Sequence, residues 1–150
     1  MNKSEYDILF LLRYLNKCLQ QDLDDKLKDY DLTATQGRVI FFIAYMEENK
    51  KQVTPADLIN RFSLSKSTVS ELIDRLVAKN LVQKINEKNR VYLLTTEYSK
   101  DLLHAFEKAR NKTKEQLIDG FDEKQSEEIK EYVLKMIKNM KGDDAKCGNK

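Results

Sequence analysis

Ser65, Ser67, Thr68 and Ser70 set four hydroxyls into six consecutive residues, with Lys66 among them. Small donors at that spacing suit hydrogen bonds to anionic oxygens and to the edges of planar rings. The same stretch continues through Val69, Leu72, Ile73, Leu76 and Val77 to Lys79, the i, i+3, i+4, i+7 rhythm of one buried helix face. Core packing does not ask for a hydroxyl-rich helix start. A helix that enters a DNA major groove tip-first does, because small donors let the backbone approach phosphates and base edges. A second cluster follows, with the cations Lys84, Lys88 and Arg90 close in sequence.

The elements that must position these residues are short and well punctuated. Thr54-Pro55-Ala56-Asp57 reads as a helix start, with Thr54 as cap, proline at the first helical position and an acid in the first turn. Leu58, Ile59 and Phe62 form the inner face of that helix, Ser63 and Leu64 make a turn, and Ser65 caps the next helix, a helix-turn-helix arrangement. Asn80 suits a left-handed helix end. Leu81–Ile85 and Arg90–Thr95 are β-branched and aromatic with strand-like alternation, and the polar Asn86–Asn89 between them predicts a hairpin with a charged tip.

The flanks are helical. Ser4 is the expected start of a first helix reaching about Asp29, with Ile8, Leu12, Leu15, Leu19, Leu23 and Leu27 along one face; Leu9, Phe10 and Leu11 widen its apolar surface. A stripe that wide on a terminal helix predicts a second surface to cover it. Thr33 and Gln36 form a capping box for a second helix carrying Val39, Ile40 and Ile43. A long helix is predicted from about Thr96 to Ile118, broken by Asp119-Gly120, and Asp122 caps a last one bearing Ile129, Tyr132, Val133, Met136, Ile137 and Met140. A disordered tail is expected over 141–150. The fold class is therefore mainly α with a small β-wing.

Composition bounds the function. The 150 residues suffice for one domain, and only 4 glycines and 1 proline favour helix. The net charge of +2 is weak for a nucleic-acid binder taken whole, so its distribution matters more. Between Ser65 and Lys79 three cations face two acids, and between Gln83 and Arg90 three cations face one, so these segments carry the chain's positive surplus. The start lacks a basic run followed by continuous apolar residues, and no stretch approaches about 20 apolar residues, so neither a secretory leader nor a membrane span is expected. The 2 cysteines, Cys18 and Cys147, form no disulfide framework, which suits a reducing cytoplasm. One histidine, His104, stands without a metal-spaced neighbour and reads as a helix-surface or interface residue. No phosphate loop or nucleophile motif is present, so the expected protein is not an enzyme and needs no cofactor.

In order, these pieces resemble the MarR family of bacterial winged-helix regulators over roughly Ser4 to Met140. The residues that carry the resemblance are Leu32-Thr33 with Gln36; Val53-Thr54-Pro55-Ala56-Asp57-Leu58; Ser65 to Lys79 as Ser-x-Ser-Thr-Val-Ser-x-Leu-Ile-Asp-Arg-Leu-Val-x-Lys; Leu81-Val82; and Leu94-Thr95. The family's wing usually carries Asp-x-Arg where this chain has Asn86-x-Lys88, and often a basic residue at Glu71; both departures lower the expected phosphate affinity. Two family glycines are replaced by Asn80 and Tyr98.

The resemblance implies a winged helix-turn-helix over about 33–96, flanked by dimerisation helices at about 4–29 and 97–140, in a single domain of residues 1–140. It implies a cytoplasmic homodimer on a pseudo-palindromic operator in double-stranded DNA, most simply a repressor. Ser65, Lys66, Ser67, Thr68 and Ser70 are then the expected contacts to base edges and phosphates. Arg75 reaches a phosphate or braces the wing, and Lys84, Lys88 and Arg90 supply charge near the minor groove. Ser65 serves as helix cap and DNA contact together. Many relatives release DNA when a small aromatic or phenolic acid binds. Arg13 beside Tyr14, with Tyr30, Phe42 and Tyr45 as walls, is the expected site for such an effector, against an ordinary ion pair at Arg13. Another branch senses peroxide through a cysteine near the start of the first helix; Leu9 and Phe10 occupy that region here. Cys18 lies two to three turns later and reads as a small buried hydrophobe, with redox sensing as the alternative. A winged-helix protein-interaction module is the competing function class.

Overall fold

The computed structural model describes residues 6–142. The helices are α1 (Ile8–Leu27), α2 (Ala34–Glu48), α3 (Pro55–Phe62), α4 (Lys66–Ala78), α5 (Glu97–Leu117) and α6 (Glu123–Lys141), with the strands β1 (Val82–Glu87) and β2 (Arg90–Thr95) between α4 and α5. A short 3-10 turn, Lys28–Tyr30, follows α1. The chain divides into two compact units, residues 1–113 and 114–150, with the boundary inside α5.

Local capping fixes most helix starts. Thr33, Thr54 and Asp122 each form a complete capping box, with Gln36, Asp57 and Gln125 returning the hydrogen bond. The first helix departs from the expected start at Ser4, which lies outside the described residues. Asp7 is the cap, and its carboxylate accepts the Phe10 N–H at 2.9 Å. Asp7 wins because it stands one residue before the first helical position, where a side-chain oxygen reaches a free N–H of the opening turn. At its other end α1 stops at Leu27 rather than continuing to Asp29, because the chain tightens into the 3-10 turn and Asp31 turns left-handed at φ 51°.

The first unit is built on one core. Leu27, Val39, Ile40, Ile43, Leu58, Val69, Leu76, Leu81 and Leu93 are all buried in it, and Phe106 of α5 closes it. Gly37 is the point of closest approach: a Cβ there would lie 2.4 Å from Cδ2 of the Phe106 ring. The wing is an antiparallel pair with Val82 opposite Thr95 and Glu87 opposite Arg90. Val53 adds an isolated bridge to Leu93, whose N–H donates to the Val53 carbonyl at 2.8 Å. The first strand runs further toward the turn than its sequence pattern indicates, while the second begins at Arg90 as expected. Asn86 and Glu87 pair with Val91 and Arg90, so the tip shrinks to Lys88 and Asn89. Those two residues hold φ of 50° and 59°, the two-residue hairpin turn whose twist matches the strands.

Three burial expectations change. Val77 belongs to the apolar rhythm of α4 yet is 40% exposed, because the core ends at Ile73 and Leu76. Cys18 is exposed on α1 rather than buried. On α1 itself only Leu23 and Leu27 are buried, and Ile8, Leu9, Phe10, Leu11, Leu12 and Leu15 remain open in the isolated chain. Tyr6, Phe10 and Tyr14 stack along that open face, with ring centroids 4.5 and 5.9 Å apart. In the second unit α6 buries no residue fully, and a groove of about 800 Å³ runs past Leu117, Phe121, Ile129, Val133 and Leu134. Among the described residues no helix is long and apolar enough to cross a membrane.

Candidate nucleic-acid interface

Helix α3, the turn at Ser63 and helix α4 form a compact corner. Ser63 takes the left-handed conformation at φ 52°, which reverses the chain within one residue. Ser65 then caps α4, its Oγ accepting the Thr68 N–H at 3.1 Å. The same oxygen lies 2.7 Å from the Thr68 hydroxyl and 3.2 Å from that of Ser67, so the hydroxyl cluster is internally linked. The buried side of α4 is Val69, Leu72, Ile73 and Leu76. Its opposite side presents Ser65, Lys66, Ser67, Thr68, Ser70 and Arg75, each exposed. This places a positive helix N-terminus, small donors and one ammonium at a single protruding tip.

The far end of α4 is anchored. Asn80 is left-handed at φ 57°, and its carbonyl accepts the Thr96 hydroxyl at 2.6 Å. Lys79 Nζ donates to the Asp31 carbonyl at 2.5 Å and lies 3.4 Å from the Asp31 carboxylate. These contacts tie α4 to the corner between α1 and α2 and to the start of α5.

The wing carries the remaining cations. Lys84, Lys88 and Arg90 are all exposed, with Lys88 in the turn and Arg90 facing Glu87 in the register. The Tyr92 hydroxyl donates to Glu87 at 3.1 Å; partial desolvation, and then the neighbouring carboxylate, hold its phenol above the usual value. At the base of the wing both donors of Thr95 meet one acid: its N–H and its hydroxyl each lie 2.6 Å from a Glu47 carboxylate oxygen.

The expected effector residues do not gather. Arg13, Tyr14 and Tyr30 are exposed, and Tyr14 stacks on Phe10. Phe42 packs edge-on against Phe62 at 5.9 Å with the Arg61 guanidinium 5.6 Å above its ring. Only Tyr45 lines a cavity of about 470 Å³, formed by α2, Thr95 and α5. The other walls are Phe41, Ala44, Glu47, Glu48, Lys100, Leu103, His104 and Glu107, none of which the sequence pattern singled out for an effector. Their helical spacing was a usable signal, since Phe41, Ala44, Tyr45 and Glu48 share one face of α2, and Lys100, Leu103, His104 and Glu107 one face of α5. Among the described residues no group of three or more His, Cys, Asp or Glu side chains is arranged to hold a metal.

A capped helix-turn-helix whose second helix projects beside a two-stranded wing defines a winged-helix protein. Residues 30–90 match the family model of the MarR family. The solved structures similar to the chain include S. aureus MepR in complex with DNA, at 22% identity and TM-score 0.83, covering 92% of this chain and 99% of that one. They also include MarR from Oenococcus oeni PSU-1, a transcription regulator, at 25% identity and TM-score 0.70, covering 88% and 99%. The reduced form of MarR from E. coli matches at 20% identity and TM-score 0.72, covering 90% and 98%. No curated protein sequence is significantly similar to the chain. Over residues 30–90 the chain is similar to the MarR family, and it has the winged-helix fold of the solved MarR and MepR structures.

Proposed function

We propose that the protein is a cytoplasmic, homodimeric transcriptional repressor that binds a pseudo-palindromic operator in double-stranded DNA and is released by a small molecule. The observation that carries this reading is the exposed tip of α4. Ser65, Lys66, Ser67, Thr68 and Ser70 crowd a helix N-terminus and leave the apolar face wholly inward, apart from Val77. Arg75 and the wing cations Lys84, Lys88 and Arg90 add charge on either side of it. The S. aureus MepR structure with DNA, similar over nearly the whole chain, supports the same use of the fold here.

Dimerisation is supported by the open apolar faces of α1 and α6, each unlike the surface of a monomer. A two-fold dimer presents two copies of α4 to successive major grooves. The test is selection of bound genomic fragments, followed by anisotropy titration of the selected duplex at increasing salt. Specific binding that weakens steeply with salt is expected. Equal affinity for a scrambled duplex, or a flat salt dependence, overturns the reading in favour of a protein-interaction module.

A further inference from the structure

Helix α4 turns one narrow ridge directly away from the core. Val69, Leu72, Ile73 and Leu76 are its buried side. At about 3.6 residues per turn, the line opposite them runs through Ser67, Glu71, Asp74 and Ala78, and all four are exposed. Ser70 and Val77 flank this ridge on one side, Thr68 and Arg75 on the other. The hydroxyls of Ser65, Ser67 and Thr68 at the tip are linked among themselves. Glu71 stands one turn behind Ser67, about 6 Å further along the axis. Among the described residues Glu71 makes no ion pair, although Arg75 follows it at the spacing where a glutamate and an arginine meet on a helix. Its carboxylate is therefore open on the face that lies deepest when α4 enters a major groove.

A carboxylate at that place is a selective reader. It can only accept hydrogen bonds, and the phosphates on either side of the groove repel it. Guanine offers it two acceptors, O6 and N7, and thymine a third, O4. Adenine has a donor amino group, but the N7 acceptor lies beside it. Cytosine alone presents a donor, its N4 amino group, with no acceptor on the same edge. Any other base leaves a desolvated charge unpaired, which is costly. Resting on the repressor reading above, we propose that Glu71 is a specificity-determining residue, accepting a hydrogen bond from N4 of one cytosine in each operator half-site and rejecting the other bases there. The two-fold dimer sets one Glu71 in each half-site, so the two cytosines are related by the pseudo-palindrome. Glu71 weakens binding to DNA of every sequence and recovers the loss only at cytosine. That widens the gap between operator and random duplex, at the expense of raw affinity.

The experiment selects bound duplexes from a randomised DNA pool with the full chain and with Glu71→Ala, Glu71→Gln and Asp74→Asn. The parent's bound set carries cytosine at one fixed position in each half-site. In Glu71→Ala that position loses its preference while the others keep theirs. In Glu71→Gln it turns to adenine, whose N6 and N7 an amide reads as a pair. Asp74→Asn removes the same charge from the same ridge and keeps the cytosine; its loss there as well shows a general effect of charge and overturns the assignment. Anisotropy titration then measures single changes at that position. Replacing the cytosine weakens the parent roughly tenfold or more and leaves Glu71→Ala nearly unaffected. On scrambled duplex Glu71→Ala binds several-fold more tightly than the parent; equal or weaker binding overturns the proposal. A parent that binds its selected duplex with steep salt dependence, but whose base preferences survive both Glu71 variants, overturns this inference and leaves the repressor reading standing. A chain that binds no duplex in any form overturns both.

Discussion

The Glu47 carboxylate takes both donors of Thr95: the backbone N–H and the side-chain hydroxyl each lie 2.6 Å from one of its oxygens. The two residues are 48 positions apart, and the contact joins the last turn of α2 to the end of the wing. Thr95→Val keeps shape and backbone donor but removes the hydroxyl. A hydrogen bond to a charged acceptor contributes about 1.5–3 kcal/mol, so for this half-buried pair a loss of about 1–2 kcal/mol is expected. Urea unfolding measures it; a Thr95→Val protein as stable as the parent contradicts the assignment.

Gly37→Ala sets two effects against each other. Alanine is favoured over glycine inside a helix by about 1 kcal/mol. Against that, the new Cβ would sit 2.4 Å from a Phe106 ring that is only 1% exposed, and overpacking a core costs about 1–3 kcal/mol. The ring belongs to a buried residue and has little room to yield, so the clash wins and the variant melts lower. Gly37→Ala combined with Phe106→Leu is then less destabilised than the two single variants together. Additive losses in that cycle would show that the ring moves aside freely.

The caps at Thr33, Thr54 and Asp122 were legible because each is decided within one helical turn. The wing was legible from its alternation, and the face of α4 from its period. Val77 misled because periodicity names a face but not where the core beneath it ends. Cys18 misled for a related reason: Leu15 and Leu19 beside it imply burial, yet α1 buries only its last turns within the chain. The Glu47–Thr95 clamp and the cavity walls were not legible, because they depend on two helices and a strand end meeting across long stretches of sequence. Arg13 was read from its charge and its place beside Tyr14, and neither locates a cavity.

Asp22 governs an acid-side stability limb. Its carboxylate is held by the Lys26 ammonium first and by the Thr113 hydroxyl, at 2.5 Å, second, and these keep its pKa below the ordinary 3.8. A carboxyl whose folded pKa is depressed stabilises the fold fully above its unfolded value. That contribution disappears as pH falls from about 3.8 through the lowered folded value. Asp22→Asn is therefore expected to lower stability at neutral pH and to flatten the decline in this acid window. Unfolding free energies taken at steps from neutral to strongly acid pH compare the two proteins; parallel curves would remove Asp22 from the account.

Ser65 and Ser70 separate capping from contact. Ser65→Ala removes the acceptor for the Thr68 N–H and costs about 1 kcal/mol of stability, as loss of a helix cap does. Ser70 is exposed within α4 and caps nothing, so Ser70→Ala leaves stability within about half a kcal/mol of the parent. On the proposed operator Ser70→Ala nevertheless lowers affinity. A variant that changes neither melting nor duplex affinity would place Ser70 outside the interface.

Lys88 sits where its backbone is costly. It takes φ of 50° in the hairpin turn, a conformation that asparagine and glycine tolerate and a long side chain tolerates less well. The neighbouring turn position holds Asn89 at φ 59°, the residue type such turns prefer. Lysine at the tip is thus poor turn chemistry, which points to a use for its ammonium beyond the hairpin. Lys88→Asn is expected to leave stability unchanged or raise it by a few tenths of a kcal/mol, since asparagine suits the left-handed position. The same change lowers duplex affinity at every sequence tested and reduces the salt slope by about 0.9 for each phosphate that is no longer neutralised. Stability that rises while affinity and slope both fall is the signature of a residue kept for DNA at the expense of its turn. An unchanged slope with intact folding would leave Lys88 as a solvated hairpin tip and move the wing's electrostatic share to Lys84 and Arg90.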